Sequence, residues 1–181
     1  MNTYIALIRG INVGGKKIIL MADLKKSFEN AGFSNVSTYI QSGNVVFKSV
    51  ETETLGLETK LENVIKDFFG FDVKVVVKEY RHLVSIFERN PYRSVDIKNT
   101  EKVYFTLLSQ TPAVEKIAML EHMKSDSDIF SLADQTFYLL CRTGYNITRF
   151  NNNYLEKILK VKATTRNEDT IRKLLEIAKN L

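Results

Sequence analysis

The sequence predicts an α+β fold built from two similar ferredoxin-like halves, with helices closing the chain. Two observations lead there. Residues 1–90 read strand, helix, two strands, helix, strand, which is the split βαβ order. The remainder, 91–181, repeats strand, helix, two strands and helix before departing into a final helix. No stretch repeats letter for letter, so the duplication is argued from element order alone. Eight glycines and two prolines in 181 residues leave room for long uninterrupted elements.

Each element has its own signal. Thr3 to Ile11 carries Tyr4, Ile5, Ala6, Leu7 and Ile8 in a row, a strand buried on both faces, and Asn12-Val13-Gly14-Gly15 breaks it. Met21, Leu24, Phe28 and Ala31 recur at helical spacing, and Gly32 stops that helix. Val36–Ile40 and Val45–Lys48 flank Gln41-Ser42-Gly43-Asn44 as a hairpin. Leu57, Leu61, Val64, Ile65 and Phe68 mark a longer helix that ends at Gly70. Its acidic residues between 51 and 67 read as a solvated face. Asp72–Lys78 alternates as a strand, and Glu79–Arg89 reads as a helix ended by Pro91.

In the second half, Lys102–Ser109 is an aromatic and β-branched strand. Pro112 suits the first turn of a helix running to Met123. Asp128–Leu132 and Thr136–Cys141 pair around Ala133-Asp134-Gln135. Two helices follow, Asn153–Leu159 and Glu168–Lys179. The last has an apolar stripe of Ile171, Leu174, Leu175 and Ala178.

Composition bounds the function. With 44% hydrophobic and 26% charged residues the chain has globular proportions. No run of 18 apolar residues predicts a membrane span, and the first residues lack the pattern of an export signal. A single cysteine excludes an internal disulfide and a multi-cysteine metal site. A cytoplasmic location is the expectation. The formal charge of +5 is unevenly spread: residues 1–50 balance at +4, 51–141 at −4, and 142–181 at +5. Two basic chain ends brought together would make a face suited to phosphates. The same charges dispersed over solvated helices would not.

Four polar stretches could hold a ligand. Gly10-Ile11-Asn12-Val13-Gly14-Gly15-Lys16-Lys17 fits the first seven positions of a phosphate loop, in which glycines turn backbone N–H groups onto phosphate oxygens. Lys17 stands where the Mg²⁺-binding hydroxyl should be, and Ile18-Ile19-Leu20 intervenes before the helix. A looser anion cradle or a plain turn therefore competes with it. Gln41-Ser42-Gly43-Asn44 offers amide and hydroxyl groups that a tight turn also favours. Arg142-Thr143-Gly144-Tyr145-Asn146-Ile147-Thr148-Arg149-Phe150 and Thr164-Thr165-Arg166-Asn167 lie between ordered elements. They combine guanidinium donors, hydroxyls, amides and aromatics, a composition that binds phosphate and stacks on bases. Thr165 or Asn167 serves equally well as an N-cap of the last helix.

Catalytic and metal chemistry lack a constellation. His82 and His122 stand far apart, and His82 reads as a helix-surface residue. Cys141 reads as a buried inert thiol. Asp126-Ser127-Asp128 is too short for a calcium loop. No catalytic residue, metal or cofactor is expected.

Three segments carry a resemblance. Leu7-Ile8-Arg9-Gly10-Ile11-Asn12-Val13-Gly14-Gly15, Thr38-Tyr39-Ile40-Gln41-Ser42-Gly43-Asn44-Val45-Val46-Phe47 and Ala163-Thr164-Thr165-Arg166-Asn167 resemble, in order, the conserved bacterial family known as domain of unknown function 1697. Members often carry Trp-Asn after Arg-Asn, where this chain has Glu168-Asp169. The resemblance implies an α+β protein of two similar, interlocked halves and names no activity.

The site residues to follow are Arg9, Asn12, Gly14, Gly15, Lys16, Gln41, Ser42 and Asn44 in the first half. In the second they are Arg142, Thr164, Thr165, Arg166 and Asn167. The leading expectation is a non-catalytic module binding a phosphate-bearing partner, nucleic acid ahead of a nucleotide. An enzyme acting on a small anionic substrate, with Lys16 or Arg166 stabilising charge, is the alternative. A protein-interaction module whose motif residues only fix turns and caps is the third reading. Oligomeric state is open.

Overall fold

A computed structural model of the chain describes residues 1–95, 101–123, 128–142 and 144–181, the side chain of Asp128 excepted. Positions 126 and 127 of the acidic triplet and position 143 of the Arg142–Phe150 stretch lie outside the described residues. The chain forms two compact units, Met1–Ser85 with Arg172–Leu181, and Ile86–Ile171.

The first unit contains β1 (Asn2–Arg9), α1 (Met21–Asn30), β2 (Ser34–Tyr39), β3 (Asn44–Ser49), α2 (Thr54–Phe69) and β4 (Lys74–Glu79), with α3 (Tyr80–Glu88) beginning in it. Its antiparallel sheet has the order β2-β3-β1-β4. The core between sheet and helices takes Tyr4, Ala6 and Ile8 from β1, Phe28 from α1, Phe47 from β3, Leu57, Leu61 and Ile65 from α2, and Val75 and Val77 from β4. Residues 4, 6 and 8 share a face because strand side chains alternate. Ile5 and Leu7 on the opposite face are also buried, as the unbroken apolar run requires. Gly70 closes α2 in the left-handed conformation (φ +72°), where a glycine has no Cβ to clash.

The second unit continues with β5 (Lys102–Leu108), α4 (Val114–Glu121), β6 (Asp128–Ala133), β7 (Thr136–Cys141), α5 (Asn152–Leu159) and β8 (Ala163–Asn167), and α6 (Glu168–Lys179) begins in it. Its sheet runs β6-β7-β5-β8, again antiparallel, so the two units share one strand order. Phe130, Phe137, Phe150, Leu155 and Leu159 fill its core, with Cys141 buried among them.

Four expectations need correction. Residues 163–167 are a strand, not a polar link between elements. β8 pairs with β5 from Tyr104↔Asn167 to Leu108↔Ala163 and completes the split βαβ order. Two β-branched threonines suit a pleated half-buried surface even though their polarity hides the strand.

The acidic side chains of α2 are not all solvated. Glu58 is fully buried and its Oε1 accepts from the Val77 N–H at 3.1 Å, while Glu62 Oε1 accepts from the Val75 N–H at 2.9 Å. β4 is an edge strand whose outward amides need acceptors, and carboxylates one helical turn apart reach amides two residues apart. Pro112 precedes the N-cap Ala113 rather than opening α4, which ends at Glu121. His82, read as a surface residue, is half-buried on α3.

Candidate functional site

The end of the first sheet collects the first half's polar motifs. After Arg9 the chain turns back through a small hairpin rather than entering a helix. Val13 and Lys16 bridge across Gly14 and Gly15, whose φ angles are +58° and +72°, and the Lys16 N–H bonds back to the Val13 carbonyl at 3.1 Å. Two successive positive φ values make a tight turn that glycine occupies without strain. α1 opens only at Met21, with Leu20 as its uncapped N-cap. The Asn12 and Lys16 amides therefore close the hairpin, and no helix N-terminus stands behind it as in a phosphate loop.

Asn12 holds the hairpin to the sheet. Its Oδ1 accepts from the Ile19 N–H at 2.8 Å, and its Nδ2 donates to the carbonyls of Ile19 and Gln41, both at 2.9 Å. The second of these ties the loop to the β2–β3 turn. In that turn Asn44 is fully buried, and its Nδ2 donates to the Tyr39 carbonyl and the Ser42 hydroxyl. Gly43 has φ +77°, and a Cβ there would lie 2.9 Å from both Ile8 Cβ and Ile11 Cδ1. Its carbonyl accepts from the Ile8 N–H at 2.7 Å. Glycine is thus required both by conformation and by close approach.

The structure brings Arg9, Asn12, Gly14, Gly15, Lys16, Gln41, Ser42 and Asn44 to one end of one sheet. Asn12 and Asn44 spend their amides on internal bonds. Gly14, Gly15, Lys16 and Gln41 are exposed, and Arg9 and Ser42 are half-buried. Further basic residues, not singled out by motif, join them. Lys74 pairs in register with Arg9. Lys17 Nζ donates to the Asp72 carbonyl, and Lys66 Nζ lies 2.9 Å from the Asp72 carboxylate. That hydrogen bond raises the Lys66 pKa, helped by the charge of Asp72. Strand pairing places Lys74 beside Arg9, and Asp72 gathers Lys17 and Lys66, signals that motif reading along the chain does not contain.

The second unit's motif residues form a separate, largely internal network. Thr165 Oγ1 donates to Asn152 Oδ1 at 2.7 Å and lies 2.7 Å from Thr106 Oγ1. Asn167 Oδ1 accepts from the Thr170 N–H at 3.0 Å, the N-cap bond of α6. Arg166 is half-buried and donates to the Thr165 carbonyl and the Thr164 hydroxyl. Burial pushes its pKa down to about 10, with the Tyr145 phenol acting the other way. Arg142 Nε lies 3.2 Å from Glu101 Oε1. In the stretch after it, Tyr145 packs on Tyr104 at 4.7 Å and Phe150 enters the core.

The described residues contain no cluster of three His, Cys, Asp or Glu able to hold a metal ion. No described helix is long and apolar enough to cross a membrane.

Comparison with known proteins gives fold and family. No curated protein matches the chain. A solved structure of a conserved bacterial protein from Streptococcus pneumoniae is 24% identical, covers 98% of both chains and superposes with a TM-score of 0.75. It shares the α+β fold. The family model described as a protein of unknown function (DUF1697) matches residues 1–138, including the hairpin and the β2–β3 turn. On that match this chain belongs to the DUF1697 family.

Proposed function

We propose that the chain is a non-catalytic binding module for a phosphate-bearing partner, nucleic acid rather than a small nucleotide. The observation that carries this reading is the grouping of Arg9, Lys16, Lys17, Lys66 and Lys74 at one end of the first sheet, with Asp72 among them. A nucleotide site needs inward-turned amides ahead of a helix, and here the Lys16 N–H is spent on Val13. An extended polyanion needs only a basic surface with matched spacing. The test is fluorescence anisotropy of labelled oligonucleotides against salt. Affinity should fall steeply as salt rises, and Lys16→Gln combined with Lys74→Gln should lower the log–log slope by about 1.4 for a single strand. Salt-independent affinity, or none, overturns the reading.

A second reading has its own support. Asn12, Asn44 and Asn167 are all engaged in holding turns and caps. A folded protein that ignores oligonucleotides would be read as a protein-interaction module.

A further inference from the structure

The basic end of the first unit also exposes aliphatic side chains where a turn does not need them. Val13, Ile18 and Leu20 on the β1–α1 connection are 62%, 59% and 65% exposed, and Ile40 on the neighbouring turn is 49% exposed. The Asn12–Gln41 bond joins the two loops, so these residues share one end of the sheet. Ile40 has φ +47°, a left-handed conformation in which a β-branched residue is a genuine outlier. Asparagine or glycine would sit there with less strain. The sequence thus holds an isoleucine, exposed and strained, at the same end of the sheet as a set of lysines. Local stability does not explain that choice; contact with a partner would.

The chemistry of the patch selects among nucleic acids. Aliphatic side chains cannot hydrogen-bond base edges or phosphates, so their favourable contacts are apolar: the thymine methyl in a duplex groove, and the larger area of base faces. In a duplex those faces are stacked on one another and become accessible only by unstacking, at a few kcal/mol per step. In a single strand they are available, while lysines beside them follow the backbone. Resting on the phosphate-partner reading above, we infer that this end of the first unit binds single-stranded nucleic acid. Val13, Ile18 and Ile40 pack on unstacked bases, and Lys16, Lys17 and Lys74 neutralise phosphates.

The experiment titrates the full chain into a labelled mixed-sequence 12-nucleotide single strand and its duplex at two salt concentrations. The intact protein should favour the single strand by about fivefold, the lower end of what a base–aromatic stacking contact gives, because the patch is aliphatic. Ile40→Asn should remove most of that preference, leave the salt slope unchanged and raise Tm by about 3 °C as the strained backbone relaxes. Val13→Thr, at a position without that strain, should reduce the preference without raising Tm. Equal salt-dependent affinity for both forms, or an Ile40→Asn variant with its preference intact, overturns the single-strand inference while leaving the phosphate reading in place. Binding of neither form overturns both. Phosphatidylcholine–phosphatidylserine vesicles are the control, and capture by them with no oligonucleotide binding assigns the patch to a lipid surface and overturns the inference.

Discussion

The two halves repeat one frame, and their differences fall in the connections between its elements. Each β1 residue has its counterpart one hundred positions on: Leu7 faces Asn44 and Leu107 faces Thr136, while Ile8 faces Val75 and Leu108 faces Ala163. The equivalence extends to side chains. Glu58 and Glu62 of α2 accept from the Val77 and Val75 N–H groups; in α5 Glu156 accepts from the Ala163 N–H, and Asn152 accepts from the Thr165 hydroxyl instead of its amide. A buried or half-buried cation follows in each edge strand, Lys78 in one and Arg166 in the other. What differs is the connections. The β2–β3 turn spans residues 40–43 and the β6–β7 turn only 134–135, and the hairpin-bearing loop 10–20 has no counterpart in the short link 109–113, whereas at the other end the second half has the longer connection, 142–151 against 50–53. The frame is set by strand pairing and edge protection, and the extra residues of the first half carry Lys16, Lys17 and the exposed aliphatics. Loops on a fixed scaffold are where binding is free to differ.

The sharpest way to break this equivalence is at the edge-strand carboxylates. Glu58→Ala should cost about 3–5 kcal/mol, because it orphans the Val77 amide and strips the buried Lys78 of its carboxylate neighbour. Glu156→Ala should cost about 1–3 kcal/mol, since it removes only the acceptor of the Ala163 N–H. Chemical denaturation of both variants reads the difference. Equal losses would mean that Lys78 adds nothing to the role of Glu58.

Lys78 separates the halves by pH as well. Burial lowers its pKa from 10.5 to about 8, with Glu58 opposing the shift. As pH falls, the unfolded chain takes up this proton first. The penalty is therefore absent above pH 10.5, grows as pH drops, and is fully present below pH 8. The gain on raising pH across that window approaches about 3 kcal/mol. In the second unit Tyr92 and Tyr138 have the opposite sign: burial raises both from 10.0 to about 12, so their folded forms resist ionisation and stability falls above pH 10. Stability should climb from pH 8 to about 10 and then flatten or fall, and Lys78→Met should remove the climb. A pH series of denaturation midpoints that rises equally in Lys78→Met would refute the assignment.

These features mark where sequence reading succeeds. Strands and helices with several apolar repeats, such as β1 and α2, are legible because their period is long enough to count. β8 is five residues with two threonines, an arginine and an asparagine, and only pairing with β5 identifies it. Glu58 and Glu62 resemble any solvated helical carboxylates until β4 presents its amides to them. Asn12 and Asn44 were legible as important positions but not in role, because an amide that suits a ligand equally suits a turn. Ile40 reads from the sequence as the last residue of a strand, and its left-handed φ of +47° shows only in the backbone.

The smallest effect tests whether the halves also differ in how their helices begin. In the second unit Asn151 Oδ1 accepts from the Tyr154 N–H at 3.1 Å and Asn167 Oδ1 from the Thr170 N–H at 3.0 Å, each capping a helix, while α4 with Ala113 at its N-cap has no such bond. In the first, the N-cap positions Leu20 and Glu53 make no side-chain cap bond. Asn167→Ala should cost about 1 kcal/mol, and Glu53→Asn should stabilise by a similar amount by supplying the bond α2 lacks. Leu20 adjoins the basic hairpin, and an asparagine there would gain a cap while deleting an exposed aliphatic from the proposed binding surface. Stability and oligonucleotide affinity moving in opposite directions in Leu20→Asn would place that residue on the binding side of the trade. Affinity unchanged would place it with the helix alone.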